Sequence, residues 1–261
     1  MKDKAVVTVV KIGGNVIDNP SQLALFLTDF SKIKGYKILV HGGGKLATKI
    51  AENIGLTPQL IDGRRITDAP MLDVAVMTYA GGINKNIVAQ LQALNCNAIG
   101  FSGADGNLIQ SEKRNHLTID FGFVGDIKKV NSELLQTLLS IGISPVFCAI
   151  THDNKGQLLN TNADTIASEI AISLSAIFEV SLFYCFEKQG VLANSENENS
   201  VILQINEQDY KELLEKKAIH SGMIPKMDNC FCALKKGVEK VIIGSPNLLS
   251  NENTIFTIIK L

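Results

Sequence analysis

Short, uninterrupted apolar runs recur along the chain, separated by longer segments with helical spacing, and this alternation restricts the fold more than any other feature. Ala5–Val10 reads AVVTVV, so apolar and β-branched residues fill successive positions rather than every second one. Neighbouring strand residues point to opposite faces, so such a run needs cover on both. Tyr36–Val40, Ala98–Phe101, Ile143–Ile150, Ala176–Cys185 and Val238–Ile243 have the same character and read as strands. Spacing predicts helices over Ser21–Phe30, Lys45–Ile54, Leu72–Leu94, Ser132–Ser140, Thr165–Leu174 and Glu207–Lys216. Polar alternation through Ile109–Val124 predicts an antiparallel excursion, and Val201–Ile205 reads as strand-like. The pattern implies an α/β protein, a three-layer αβα sandwich around a central, mostly parallel sheet. A division into two lobes is expected near residues 174–180, after the Thr165–Leu174 helix.

Several function classes are disfavoured. Lys+Arg total 25 against 26 Asp+Glu, so the net charge of −1 supplies no basic footprint for nucleic acid. No apolar run approaches the roughly 20 residues of a spanning helix. Met1–Lys4 leads straight into strand pattern without the apolar region of a signal peptide, so a cytoplasmic protein is expected. The five cysteines are odd in number and lack framework spacing. Cys148, within an apolar run, reads as a buried thiol, and Cys230 and Cys232 are too close for a redox pair. His41, His116, His152 and His220 are scattered, so no metal site is expected.

Ligands of parallel sheets collect at the carboxyl ends of the strands. Lys11-Ile12-Gly13-Gly14 closes the first strand and His41-Gly42-Gly43-Gly44-Lys45 the second. Glycine turns into helices leave free N–H groups and a positive dipole end, which suits an anion. The same glycines also serve simple tight turns. Gly42-x-Gly44-x-x-Ala47 meets the dinucleotide fingerprint, with Asp62 20 residues after Gly42. A dehydrogenase reading suffers because the motif follows the second strand and Asp62-Gly63-Arg64-Arg65 looks like a turn. Asn160-Thr161-Asn162-Ala163-Asp164-Thr165 precedes a helix, where Asn162 is a plausible cap and Asp164 complements the dipole. Ser221-Gly222-Met223-Ile224-Pro225-Lys226 leads into a helix near Met227. There Lys226 is either a solvated stem or is held by an anion. Arg65 in a loop is open to the same two readings.

In this order the residues resemble the amino-acid kinase family, and within it the branch acting on acylated glutamate. The match comprises K-x-G-G at Lys11–Gly14, H-G-G-G at His41–Gly44 and G-x-R-[IV]-T at Gly63–Thr67. It continues with N-x-N-A-D at Asn160–Asp164 and G-M-[IV]-x-K at Gly222–Lys226, and Asn84-Lys85 resembles the family's helix sequence. The resemblance spans nearly the whole chain. It implies ATP-dependent phosphorylation of the side-chain carboxylate of N-acetyl-L-glutamate, in arginine biosynthesis. The alternatives are the same reaction on N-succinyl-L-glutamate, for which Arg64 and Lys45 are available cations, or an amino-acid or nucleotide sensor without turnover. A glutamate carboxyl is ionised at pH 7 and needs no general base, so positioning and charge stabilisation should dominate.

The resemblance also implies residue roles. Lys226 lies on the nucleotide side, while Lys11 with the Gly13 and Gly14 N–H groups holds the phosphoryl oxygens. Asp164 orients both lysines as an organiser rather than a base. Gly43 and Gly44 bind the acylglutamate through N–H groups, and Arg65 and Asn160 hold a substrate carboxylate. ATP is expected near Gly13, Tyr184, Phe186, Glu187, Gly190 and Met223, with Mg2+ carried on the phosphates and no protein metal ligand. The family's S-D-V-x-G loop is replaced here by Tyr184-Cys185-Phe186-Glu187-Lys188-Gln189-Gly190-Val191. Residues about 1–175 form the acylglutamate-binding and dimerisation lobe, and about 176–261 the ATP lobe. Arginine-inhibited members carry a helix before the first strand, whereas four residues precede Ala5 here. The expectation is a homodimer insensitive to arginine.

Overall fold

The structure, a computed structural model, describes residues 4–61, 64–194, 196–216, 219, 223–250 and 254–261. Asp62, Gly63, His220, Ser221 and Gly222 lie outside the described residues, as does the side chain of Arg64. The first strands are β1 (Val6–Ile12), β2 (Tyr36–His41), β3 (Leu60–Ile61), β4 (Arg64–Arg65), β5 (Ala98–Phe101), β6 (Ile109–Lys113) and β7 (Gly125–Val130). They are followed by β8 (Ser144–Phe147), β9 (Ile150–His152), β10 (Leu158–Asn160), β11 (Glu179–Cys185), β12 (Gln204–Ile205), β13 (Lys240–Gly244) and β14 (Phe256–Ile259). The helices are α1 (Gly14–Asp18), α2 (Pro20–Lys32), α3 (Gly44–Asn53), α4 (Ala69–Val76) and α5 (Asn84–Ala93). Further along come α6 (Ser132–Ser140), α7 (Ala163–Ser175), α8 (Glu207–Glu215) and α9 (Ile224–Lys235).

The main sheet has the order β12-β14-β13-β11-β1-β2-β8-β5. Its described pairings are parallel except β13 with β14. Val9 and Val10 on β1, and Ile38, Leu39 and Val40 on β2, are all 0% exposed. Since consecutive side chains face opposite ways, both faces of the sheet are covered and the three-layer α/β expectation holds. A second sheet, β10-β9-β6-β7, contains the antiparallel β6–β7 pair; β6 falls within the Ile109–Val124 excursion, and β7 begins just beyond it.

Helix starts follow local chemistry. The Asn162 side chain accepts from the Asp164 and Thr165 N–H groups and caps α7. Asp68 accepts from Met71 N–H and Pro70 sits in the first turn of α4. Five expectations need correction. The Ile143–Ile150 run is not one strand: it divides into β8 and β9, which belong to different sheets. Cys148 N–H donates to Phe101 O and Ala149 O accepts from Thr161 N–H, so the chain changes partners while staying buried. The Ala176–Cys185 strand starts only at Glu179, because Ile177 and Phe178 N–H groups still bond Leu174 O at the end of α7. Strand structure in Val201–Ile205 reduces to β12 plus a bridge between Val201 and Leu192. The helix near Met227 begins earlier, at Ile224. The Leu72–Leu94 helix spans α4 and α5 with a π-helical stretch, Met77–Ile83, between them.

Candidate active site

Lys11 occupies the next-to-last position of β1, beside Val40 of β2 and Tyr184 of β11. Because the three strands are parallel, the turn after His41 and the loop after Cys185 emerge at the same sheet edge as Lys11. A cleft of about 570 Å3 opens there, lined by Lys11, Gly14, Gly43, Gly44, Arg65, Asn160 and Asp164 among others. Residues from distant parts of the chain thus share one cavity.

At one end, Asp164 sits between two ammonium groups. Lys11 Nζ lies 2.8 Å from its Oδ1, and Lys226 Nζ donates to Oδ2 at 2.9 Å. The three side chains are only 14%, 11% and 17% exposed for Lys11, Lys226 and Asp164 respectively. Burial alone would raise the Asp164 carboxyl, but the two lysines outweigh it and hold the group well below the usual carboxylate range. For Lys11, burial dominates over the attraction of Asp164 and lowers its affinity for a proton. The cluster carries two positive charges against one negative, a net positive centre in a sheltered cleft. Asp164 thus has one lysine against each of its oxygens. Tyr184 forms the floor: Lys226 Nζ stands 4.8 Å from its ring centroid, and its hydroxyl donates to Asp164 O at 3.0 Å.

At the other end, Gly43 precedes α3 with φ +154°, in a position where a Cβ would collide with Ile83 and Tyr79. Only glycine permits that approach. Arg65 donates from Nη2 to Gly44 O at 3.0 Å and to Thr48 Oγ1 at 2.7 Å, so its guanidinium is pinned against the turn. Asn160 donates to Thr67 Oγ1 at 3.0 Å. Arg114 also lines the cleft, its Nε 3.0 Å from Asp126 Oδ1. No motif pointed to Arg114; an arginine within the antiparallel excursion was the only signal available. Tyr79 was missed too, since it belongs to the π-helical stretch that helical spacing does not distinguish. Lys45 lines the cleft and contacts Asn15 Oδ1.

The residues expected around ATP fare differently. Gly13 N–H is not free for a phosphoryl oxygen: it donates to Cys185 O at 2.9 Å, extending the β1–β11 ladder by one bond. Gly14, which opens α1, is the member of the pair that lines the cleft. The Tyr184 side chain is 0% exposed and lies beneath Lys226. Gly190 is buried where a Cβ would meet Thr257 Oγ1 and Val201 Cγ1 at 2.6 Å, which makes it a packing glycine. Met223 lies in the hydrophobic core and accepts from Met227 N–H at the start of α9. Phe186 and Glu187 do follow the end of β11, half-buried and exposed respectively. Among the described residues, no group of three His, Cys, Asp or Glu side chains gathers to hold a metal ion.

A mostly parallel α/β sheet with a lysine–aspartate–lysine cluster and glycine turns at its carboxyl edge defines a protein built to receive anions. The chain belongs to the amino acid kinase family, whose model matches residues 6–245. It is 55% identical over 236 residues to acetylglutamate kinase of Cytophaga hutchinsonii, covering 90% of this chain and 89% of that protein. With acetylglutamate kinase of Phocaeicola vulgatus the identity is 50% over 243 residues, covering 93% and 94%. N-acetylglutamate synthase from Neisseria gonorrhoeae, solved with coenzyme A and N-acetyl-glutamate, shares the fold with a TM-score of 0.81 at 21% identity. That likeness covers 98% of this chain and 59% of the other. No described helix is long and apolar enough to cross a membrane.

Proposed function

We propose that this protein transfers the terminal phosphoryl group of ATP to the side-chain carboxylate of N-acetyl-L-glutamate. The products are N-acetyl-L-glutamyl 5-phosphate and ADP, an early step of arginine biosynthesis. The observation that carries the reading is the pair of lysines held on Asp164, with Lys11 and Asp164 lining a cleft that Arg65, Asn160 and a glycine turn also line.

The chemistry follows from charge. The acceptor oxygen attacks phosphorus, the bond to the bridging oxygen of ADP breaks, and no proton moves because the acceptor is already ionised. The barrier lies in bringing a carboxylate against a polyanion and in spreading charge over the transferring group. Lys11 and the Gly14 N–H hold the phosphoryl oxygens, Lys226 takes the charge of the leaving ADP, and Asp164 keeps both lysines in place. Arg65, Asn160 and the N–H groups of Gly43 and Gly44 hold the acylated amino acid, and Arg114 adds a second guanidinium to that end. Phe186 and Glu187 border the nucleotide. Mg2+ would be held by the ATP phosphates, where it would offset their charge. Residues about 1–175 form the lobe for the acylated amino acid and for pairing of two copies, and about 176–261 the ATP lobe. The working form is a cytoplasmic homodimer.

Hydroxylamine trapping tests the reaction. N-acetylglutamate with ATP should yield hydroxamate in step with ADP, and N-succinylglutamate, assayed in parallel, should be the poorer substrate. Hydroxamate from neither removes the kinase reading, and preference for the succinyl compound overturns the acetyl assignment. Arg65→Ala should raise the acetylglutamate KM roughly 10- to 100-fold with kcat changed by at most about threefold, because a charged hydrogen bond to ground and transition state alike is lost. A fall in kcat at unchanged KM would reverse that role.

A further inference from the structure

His41 ends β2 immediately before the glycine turn, is 0% exposed, and has no part in the chemistry above. Its Nδ1 lies 2.8 Å from Gly42 O, and its Nε2 lies 3.0 Å from Asn84 Nδ2. A carbonyl oxygen only accepts, so Nδ1 carries the proton; Asn84 then donates to Nε2, and the ring is the neutral Nδ1–H tautomer. The orientation of the Asn84 amide is set independently. Its Nδ2 also donates to Val146 O at 2.9 Å, while its Oδ1 accepts from Lys85 Nζ at 3.2 Å, and Lys85 donates further to Gly100 O at 3.2 Å. A flipped amide would set oxygen against the Val146 carbonyl. The network crosses three adjacent strands, from His41 on β2 to Val146 on β8 and Gly100 on the edge strand β5.

Two features of the backbone make room for it. A Cβ at Gly100 would overlap Asn84 Oδ1, so a glycine stands in mid-strand where the amide approaches. Asn84 follows the π-helical stretch directly, and its N–H bonds Tyr79 O five residues back. That local rewinding puts Tyr79 and Ile83 against Gly43 and Asn84 against His41.

We infer that His41 is a positioning residue that sets the Gly42–Gly43 peptide so that the Gly43 N–H faces the bound acylated amino acid. The peptide is trans, so its C=O and N–H point in opposite directions. Fixing Gly42 O on the buried imidazole therefore turns the Gly43 N–H away from the core and toward the cleft. With glycine on both sides, the peptide has little steric preference of its own. His41 supplies that preference, and Asn84 supplies the tautomer that can donate.

This inference rests on the reading that the turn binds the acylated glutamate, and one set of measurements separates the two. Wild-type protein is first assayed for hydroxamate; none with either acylglutamate defeats the functional reading and this inference with it. Given turnover, His41→Asn and His41→Gln are compared. Asparagine places its amide N–H where Nδ1 lies and can still hold Gly42 O, whereas glutamine reaches toward Asn84 instead. His41→Gln should raise the acetylglutamate KM by about tenfold or more while the ATP KM moves less than about twofold, and His41→Asn should recover most of the loss. Equal KM values for the two variants, or a parallel rise in both substrates' KM, would overturn it. 15N-histidine spectra of the wild-type protein should show an unprotonated His41 Nε2, and an Nε2–H tautomer would overturn the inference without recourse to any variant.

Discussion

Asp164→Asn should lower kcat by about 10²–10³ and cost on the order of 3 kcal/mol of stability. The substitution is nearly isosteric, so the loss traces to charge. It leaves two largely buried ammonium groups facing each other without a counterion. Lys11, whose proton affinity burial already lowers and Asp164 helps to sustain, then loses that support and still faces Lys226. A neutral Lys11 cannot stabilise the transferring group, so the variant's kcat should fall further as pH rises and recover partly in more acidic buffer, as Lys11 regains its proton. Wild-type kcat should show no such recovery. Stability carries a second sign. Asp164 is depressed in the folded protein, so its contribution is full above the unfolded carboxylate pKa of about 3.9 and is lost as pH falls toward the lower folded value. The stability gap between wild type and variant should therefore narrow in acid, measured by denaturant titration. A variant with wild-type kcat, or a gap that widens in acid, would remove Asp164 from the role of organiser.

Lys226→Ala should reduce kcat by a similar factor of about 10² or more while leaving the acetylglutamate KM within about threefold. Lys226 comes from α9 and sits over the Tyr184 ring, bonded to Asp164, and the proposed role has it meet the leaving charge rather than the amino acid. Its removal leaves Asp164 paired with Lys11, and the folded state should suffer less than in Asp164→Asn. A large rise in acetylglutamate KM with kcat preserved would place Lys226 at the wrong end of the cleft. A neutral effect on both would mean that Lys11 alone carries the charge.

Much of the framework is written locally. Val9 and Val10 are both apolar because both faces of β1 are covered, and that doubling is visible in residue order. Asn162 announces a helix start through a side chain that reaches only two or three residues ahead. The glycines after β1 and β2 mark turns for the same short-range reason. Motif order also identified Lys11, Asp164 and Lys226 as partners, through resemblance; nothing local relates a lysine to an aspartate 62 positions away. Continuous apolarity has a blind spot as well. It reports burial and not the sheet to which a strand belongs, so Ile143–Ile150 looked like one strand although Cys148 and Ala149 carry the chain between two sheets.

The remaining distinctions arise from packing across strands. Gly13 and Gly14 are chemically identical, yet parallel pairing with β11 spends the Gly13 N–H on Cys185 O and leaves Gly14 at the cleft. Tyr184, Gly190 and Met223 sit in loop and strand sequence that looks available to a nucleotide, and the fold buries all three. Arg114, just after β6, lines the cleft and is held by Asp126 of β7, a partner 12 positions away. Side-chain periodicity and capping act within a few residues of chain, so order alone reveals them; hydrogen-bond allocation and the sign of a local field depend on which distant groups arrive at the same place.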